Sequence, residues 1–124
     1  MKNGDKVGYT RLDPNELTDV VETPKIPYYA FDVEKGEAIL GKSPEDAEKI
    51  IKSQERLCLT TDEIIAIGFH TAVLSDYHVN AIGSRCKSDN VPILYLHEGK
   101  PELSWHSFCG SDDKWGSASC GSRV

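Results

Sequence analysis

Thr60-Thr61-Asp62-Glu63 opens the most apolar stretch of the chain, in which Ile64, Ile65, Ile67, Phe69, Ala72, Val73 and Leu74 follow with little polar relief. A threonine with a glutamate three residues later is a capping box, in which each side chain satisfies a backbone N–H that the first helical turn leaves unpaired. The stretch is therefore expected to be a helix, and its apolar surface must be buried. Any fold this chain adopts has to supply a layer that covers it.

Two further helix starts are legible. Ser43-Pro44-Glu45-Asp46 places a cap before a proline at the first helical position. Ala47, Ile50 and Ile51 then share a face, with Glu45/Lys49 and Glu48/Lys52 paired four residues apart on the surface. Asp13-Pro14-Asn15-Glu16 repeats the pattern, and a short helix to about Val21 is expected. Thr23-Pro24 and Ile26-Pro27 break the chain, Tyr28 to Val33 reads as a strand, and Glu34-Lys35-Gly36 turns it.

The covering layer is expected from the last third, as strands from His78 to Ile82, Val91 to His97 and Glu102 to Phe108. The connection Glu98-Gly99-Lys100-Pro101 suits an antiparallel hairpin. A four-residue loop would set Leu96 opposite Leu103 and Leu94 opposite Trp105 on a core side. His97 would then face Glu102, Tyr95 face Ser104 and Ile93 face His106 on a wetter one. The expected architecture is one α+β domain over residues 1–124: a mainly antiparallel sheet, finished by a C-terminal hairpin, packed against two or three helices. Residues 1–12 are expected to form a flexible N-terminal segment.

With 39% hydrophobic and 27% charged residues in 124, the chain has the means to bury a core without disulfides. Its net charge of -6 comes mainly from the front, where 14 acidic face 9 basic residues up to Glu63, against 6 and 5 afterwards. Without a basic cluster, neither nucleic acid nor an anionic membrane is an expected partner. No run reaches the length of a membrane span and no apolar signal core follows Met1, so a cytoplasmic location is expected. Cysteines there stay reduced, which ranks metal binding or catalysis above bridging.

All four cysteines (Cys58, Cys86, Cys109, Cys120) and all four histidines (His70, His78, His97, His106) lie after residue 57. Cys86 and Cys120 sit in small-residue loops, and His106 and Cys109 are three apart at the expected end of a strand. Zinc takes four thiolate or imidazole ligands, commonly with one closely spaced pair, so Cys86, His106, Cys109 and Cys120 are the candidate metal set. Three alternatives stand beside it. The residues are unrelated, with Cys58 and Cys86 as small buried hydrophobes, Cys120 an exposed thiol and the histidine satisfied by a neighbour. Or Cys86 or Cys120 is a nucleophile served by one of the histidines. Or Cys86 and Cys120 form a disulfide in an oxidising setting.

His70, behind Phe69, reads as a core or boundary residue. Trp105 and Trp115, with Tyr95 and Phe108, could wall a ligand site, but Trp105 facing leucines reads as core. Asp112-Asp113-Lys114 reads as a solvated turn.

Lys25-Ile26-Pro27-Tyr28, Leu59-Thr60-Thr61-Asp62-Glu63, Ile82-Gly83-Ser84-Arg85-Cys86, Val91-Pro92-Ile93-Leu94, Lys100-Pro101-Glu102-Leu103-Ser104-Trp105 and Gly116-Ser117-Ala118-Ser119-Cys120 together resemble a family of small bacterial proteins, a domain of unknown function. The resemblance spans roughly the last hundred residues and implies a fold unit without an activity. The family pattern has a cysteine at the position of His106, which keeps ligand character there, and no counterpart of Cys109, which leaves Cys86 and Cys120 the firmer pair. The expected function is a non-enzymatic binding or accessory module whose C-terminal tail is fastened through Cys86 and Cys120, by zinc where His106 and Cys109 join them. A small cysteine-dependent hydrolase or transferase is the alternative. The expected partner is a protein or small molecule, with a homodimer through an exposed strand as one form of the former.

Overall fold

The computed structural model describes residues 2–3, 6–7, 9–10, 14–70, 74 and 77–124. The strands are β1 (Lys2–Asn3), β2 (Lys6–Val7), β3 (Tyr9–Thr10), β4 (Thr18–Asp19), β5 (Ala30–Phe31), β6 (Leu57–Cys58), β7 (His78–Asn80), β8 (Ser84–Arg85), β9 (Val91–His97), β10 (Lys100–His106), β11 (Trp115–Ser117), β12 (Ser119–Cys120) and β13 (Ser122–Arg123). The helices are α1 (Pro44–Ser53) and α2 (Thr61–His70). The fold is α+β.

Both helices start where their caps place them. Ser43 Oγ accepts from the Asp46 N–H at 3.1 Å, with Pro44 in the first turn. At α2 the capping box closes in both directions: the Thr60 N–H donates to Glu63 Oε1 at 2.8 Å and the Glu63 N–H to Thr60 Oγ1 at 3.4 Å. Such a cap is worth about 1 kcal/mol. The expected pairs on α1 form, Glu45–Lys49 at 3.9 Å and Glu48–Lys52 at 3.5 Å.

A five-stranded sheet in the order β11-β7-β9-β10-β3 supplies the covering layer. Its central pairs, β7 with β9 and β9 with β10, are antiparallel, and its two edges are parallel. Val79, Leu94 and Leu103 share one face by register and join Leu59, Ile64 and Leu74 in the main buried cluster. α2 is thus buried against the middle of the sheet. A second cluster of Ala47, Ile51, Cys58 and Ile82 lies under α1.

The hairpin differs from expectation by two residues. His97 pairs with Lys100, Leu96 with Pro101, Leu94 with Leu103 and Val91 with His106, so only Glu98 and Gly99 turn the chain. Both have positive φ, 53° and 77°, as a tight two-residue turn of matching twist requires. A slip of two keeps every side chain on its expected face because strand side chains alternate. Burial does not follow the simple core/wet division. Glu102, on the side expected to be wetter, is 0% exposed, because β3 pairs beyond it and Tyr95 Oη donates to its carboxylate. Trp105, next to the last residue of its strand, lies opposite Pro92 and is 44% exposed, so it is a rim residue rather than core.

The expected helix to Val21 is replaced by a single 3₁₀ turn at Pro14–Glu16 followed by β4; its expected cap, Asp13, lies outside the described residues. β4 pairs with β8, and Ser84 Oγ donates to Asp19 Oδ1 at 2.7 Å while accepting from the Thr61 N–H at 2.9 Å. That tertiary pairing outweighs the local helix signal. The strand expected over Tyr28 to Val33 is cut short at Asp32, whose φ is 55°. Part of the segment expected to be flexible, residues 1–12, also lies outside the described residues; Tyr9 and Thr10 pair with Glu102 and Leu103.

Candidate functional site

The C-terminal tail returns to the N-terminal half along two short ribbons. β12 pairs with β6, and β13 pairs with β5, with Ser122 opposite Phe31 and Arg123 opposite Ala30. On the second ribbon Ala30 and Arg123 therefore share one face. That face turns inward toward α2, and a cleft of about 420 Å³ opens between them, lined by Tyr28, Ala30, Val33, Leu59, Asp62, Glu63, Ala66 and Ile67.

Glu63 is the polar centre of this cleft. Oε2 accepts from Arg123 Nε at 2.7 Å and Tyr28 Oη at 2.9 Å; Oε1 accepts from Arg123 Nη2 at 2.9 Å and the Thr60 N–H at 2.8 Å. Arg123 Nη2 also reaches the Cys58 carbonyl at 2.6 Å. The Arg123 and Glu63 side chains are 6% and 9% exposed. Burial by itself raises the Glu63 carboxyl, but Arg123, the Thr60 N–H and Tyr28 outweigh it and hold it below its ordinary range. The hydrogen bond to Glu63 holds the Arg123 guanidinium up against burial, and burial followed by Glu63 raises the Tyr28 phenol. The result is an apolar cleft with one saturated, charge-compensated polar wall. Asp62 at its edge is exposed.

The candidate metal set is placed differently. Cys86 and Cys120 are both buried in the main core cluster, and each is a free thiol. Cys86 Sγ donates to the Asn90 carbonyl at 3.2 Å. Cys109 is exposed and its thiol donates to Glu45 Oε2 at 3.1 Å. His106 stacks on Trp115 with ring centroids 3.6 Å apart; Nδ1 donates to the Ser107 carbonyl at 2.9 Å and Nε2 lies 2.6 Å from Asn80 Oδ1. Cys86 and Cys120 share the core cluster while His106 and Cys109 have partners elsewhere, and no three metal-ligating side chains converge among the described residues. Cys120, expected as exposed in one reading, is fully buried, and Cys109 is the exposed thiol. The His70 side chain lies outside the described residues.

Nor are the thiols activated. Burial first, then the Glu48 charge, pushes Cys58 up to about 11. Burial also raises Cys86 and Cys120, and the Glu45 carboxylate raises Cys109. A nucleophilic cysteine needs the opposite shift.

The residues that sequence reasoning missed are Tyr28 and Arg123. The signal for Arg123 was the echo between Gly83-Ser84-Arg85 and Gly121-Ser122-Arg123. Each arginine pairs with a helix glutamate, Arg85 with Glu48 of α1 at 3.1 Å and Arg123 with Glu63 of α2 at 2.7 Å, and each donates to nearby main-chain carbonyls. The repeated tripeptide is a device for pinning helices.

Over residues 1–124 the chain matches a family of unknown function (DUF5701), and it belongs to that family. No curated protein and no solved structure matches it. Among the described residues no helix is long and apolar enough to cross a membrane.

Proposed function

We propose that the protein is a small cytoplasmic binding module that holds an apolar small molecule in the cleft between α2 and the C-terminal tail. The observation that carries this reading is the cleft itself, walled by Ala30, Val33, Leu59, Ala66 and Ile67 with the Glu63–Arg123 ion pair beside them. A mostly apolar concavity with few, fixed polar groups is the usual form of a small-molecule site. Glu63 is neutralised by Arg123, so the exposed Asp62 sets the sign at the edge and disfavours an anionic ligand. The ion pair of Arg123 with Glu63 ties the tail to α2, and the raised thiols speak for this reading over a sulfur cluster or a cysteine enzyme. A zinc centre would require His106 and Cys109 to leave their present partners.

The test uses Nile red, a neutral apolar fluorophore. Saturable one-to-one binding is expected, and Ala66→Phe, which fills the cleft from the helix side, is expected to abolish it while the far-UV spectrum is unchanged. Binding that is absent, or indifferent to Ala66→Phe, would reject the reading.

A further inference from the structure

The opposite face of the five-stranded sheet carries a second cleft, of about 200 Å³, lined by His78, Ile93, Tyr95, Ser104, Trp105, His106 and Trp115. Register places Asn80, Ile93 and Ser104 in one cross-strand row, and His78 and Tyr95 in the next. The floor is therefore Ile93 and Ser104. Around it the His78 and Tyr95 rings lie 5.0 Å apart, tilted by 37°, and His106 is stacked on Trp115, the register partner of His78.

The two histidines differ in what they have left to offer. His106 Nδ1 donates to the Ser107 carbonyl and Nε2 lies against the Asn80 carboxamide, which itself donates to Ser117 Oγ at 3.3 Å. His78 is half-buried, and neither of its ring nitrogens has a hydrogen-bond partner among the described residues. Burial holds it below 6.5, with Asp112 and Lys114 acting on it in opposite directions, so at neutral pH it presents one donor and one acceptor nitrogen. None of the described lining residues is Asp, Glu, Lys or Arg. A charged ligand would lose its hydration without a compensating partner. A sugar needs many hydrogen bonds, whereas the polar groups of the described lining are few, chiefly His78 and Ser104 beside the indole N–H groups. Ring side chains make up most of the described lining and favour a flat ligand.

We propose that this cleft binds one uncharged planar heterocycle, which sits on Ile93 beside the His78/Tyr95 and His106/Trp115 pairs and is hydrogen-bonded at its edge by His78 and Ser104. The site is separate from the apolar cleft under the tail and does not depend on it.

Adenine at pH 7.5 is the probe, followed by NMR of the Trp115 indole N–H and the His78 ring protons. Sodium benzoate and methyl glucoside serve as anionic and non-planar comparators. Saturable shifts are expected with adenine alone. Ser104→Phe, which fills the floor, is expected to abolish them; His78→Phe, which keeps a ring and removes the nitrogens, is expected to weaken binding about tenfold. Amide dispersion and Nile red binding in the other cleft report whether each variant is folded. The proposal is overturned if adenine gives no saturable shift, if either folded variant binds as the parent does, or if benzoate or methyl glucoside binds as tightly.

Discussion

Arg123 grips Glu63 with two nitrogens, Nε at 2.7 Å and Nη2 at 2.9 Å, and so joins the second-last residue of the chain to the first turn of its core helix. Removing one partner of a buried pair leaves the other charge uncompensated, at a cost of about 3–5 kcal/mol. Arg123→Ala is expected to lose stability on that scale in chemical denaturation. Arg123→Lys should recover only part of it, because an ammonium cannot reproduce the planar two-nitrogen contact. A double-mutant cycle with Glu63→Gln should show strong coupling; additive losses would mean that the pair does not hold the tail.

Gly83 approaches β6 too closely for any side chain. A Cβ there would lie 2.7 Å from the Leu59 carbonyl oxygen and 2.9 Å from that of Cys58, both main-chain atoms that cannot rotate away. Gly83→Ala is therefore expected to destabilise the fold by about 2–3 kcal/mol. A melting temperature equal to that of the parent would refute this.

Among the four thiols, Cys109 alone is exposed, yet the Glu45 carboxylate that accepts its proton raises it. Under native conditions one thiol per chain should alkylate with iodoacetamide, slowly at neutral pH, and the other three only after unfolding. Glu45→Gln is expected to speed that one reaction, since the thiolate is the reacting form. Rapid modification of Cys86 or Cys120 in the folded protein would contradict the structure.

Thr61 Oγ1 is buried without a hydrogen-bond partner among the described residues. A hydroxyl in that state costs about 1 kcal/mol or more. Thr61→Val preserves the shape and removes the unpaired group, so it is expected to raise the melting temperature. A fall would show that the hydroxyl has a use in solution.

Burial, the largest influence on each, lowers both His78 and His106 from 6.5, and His78 further lowers His106 while the Ser107 carbonyl opposes. Groups depressed in the folded state bind protons more readily when unfolded, so their stabilising contribution is present above 6.5 and is lost as pH falls through their folded values. Glu63, also depressed, adds a second loss in the carboxylate range. Stability should decline in two stages on acidification, with Glu63→Gln removing part of the later one. NMR titration of the two imidazoles should give midpoints under 6.5; a midpoint above it would reverse the sign.

The helix starts were legible because a cap is a local arrangement: Ser43 with Asp46 and Thr60 with Glu63 find their partners within one turn. The hairpin faces were legible for the same reason, since alternation survived a two-residue slip in register. The turn itself was misjudged because Glu98-Gly99 lacks the asparagine or aspartate that usually marks a two-residue turn. Asp13-Pro14 misled in the opposite direction, since a sound local signal was overruled by the pairing of β4 with β8.

Two helices, the strands that cover α2 and the presence of chemically capable residues after position 57 follow from local sequence. Which of those residues meet is a matter of long-range packing. It sent His106 to Trp115 and Cys109 to Glu45, kept Cys86 and Cys120 among apolar neighbours, and brought Arg123 to Glu63 across 60 positions. Backbone periodicity and capping act over a few residues and can be read along the chain, whereas contacts between distant segments are selected by the packing of the whole core and leave no spacing to read.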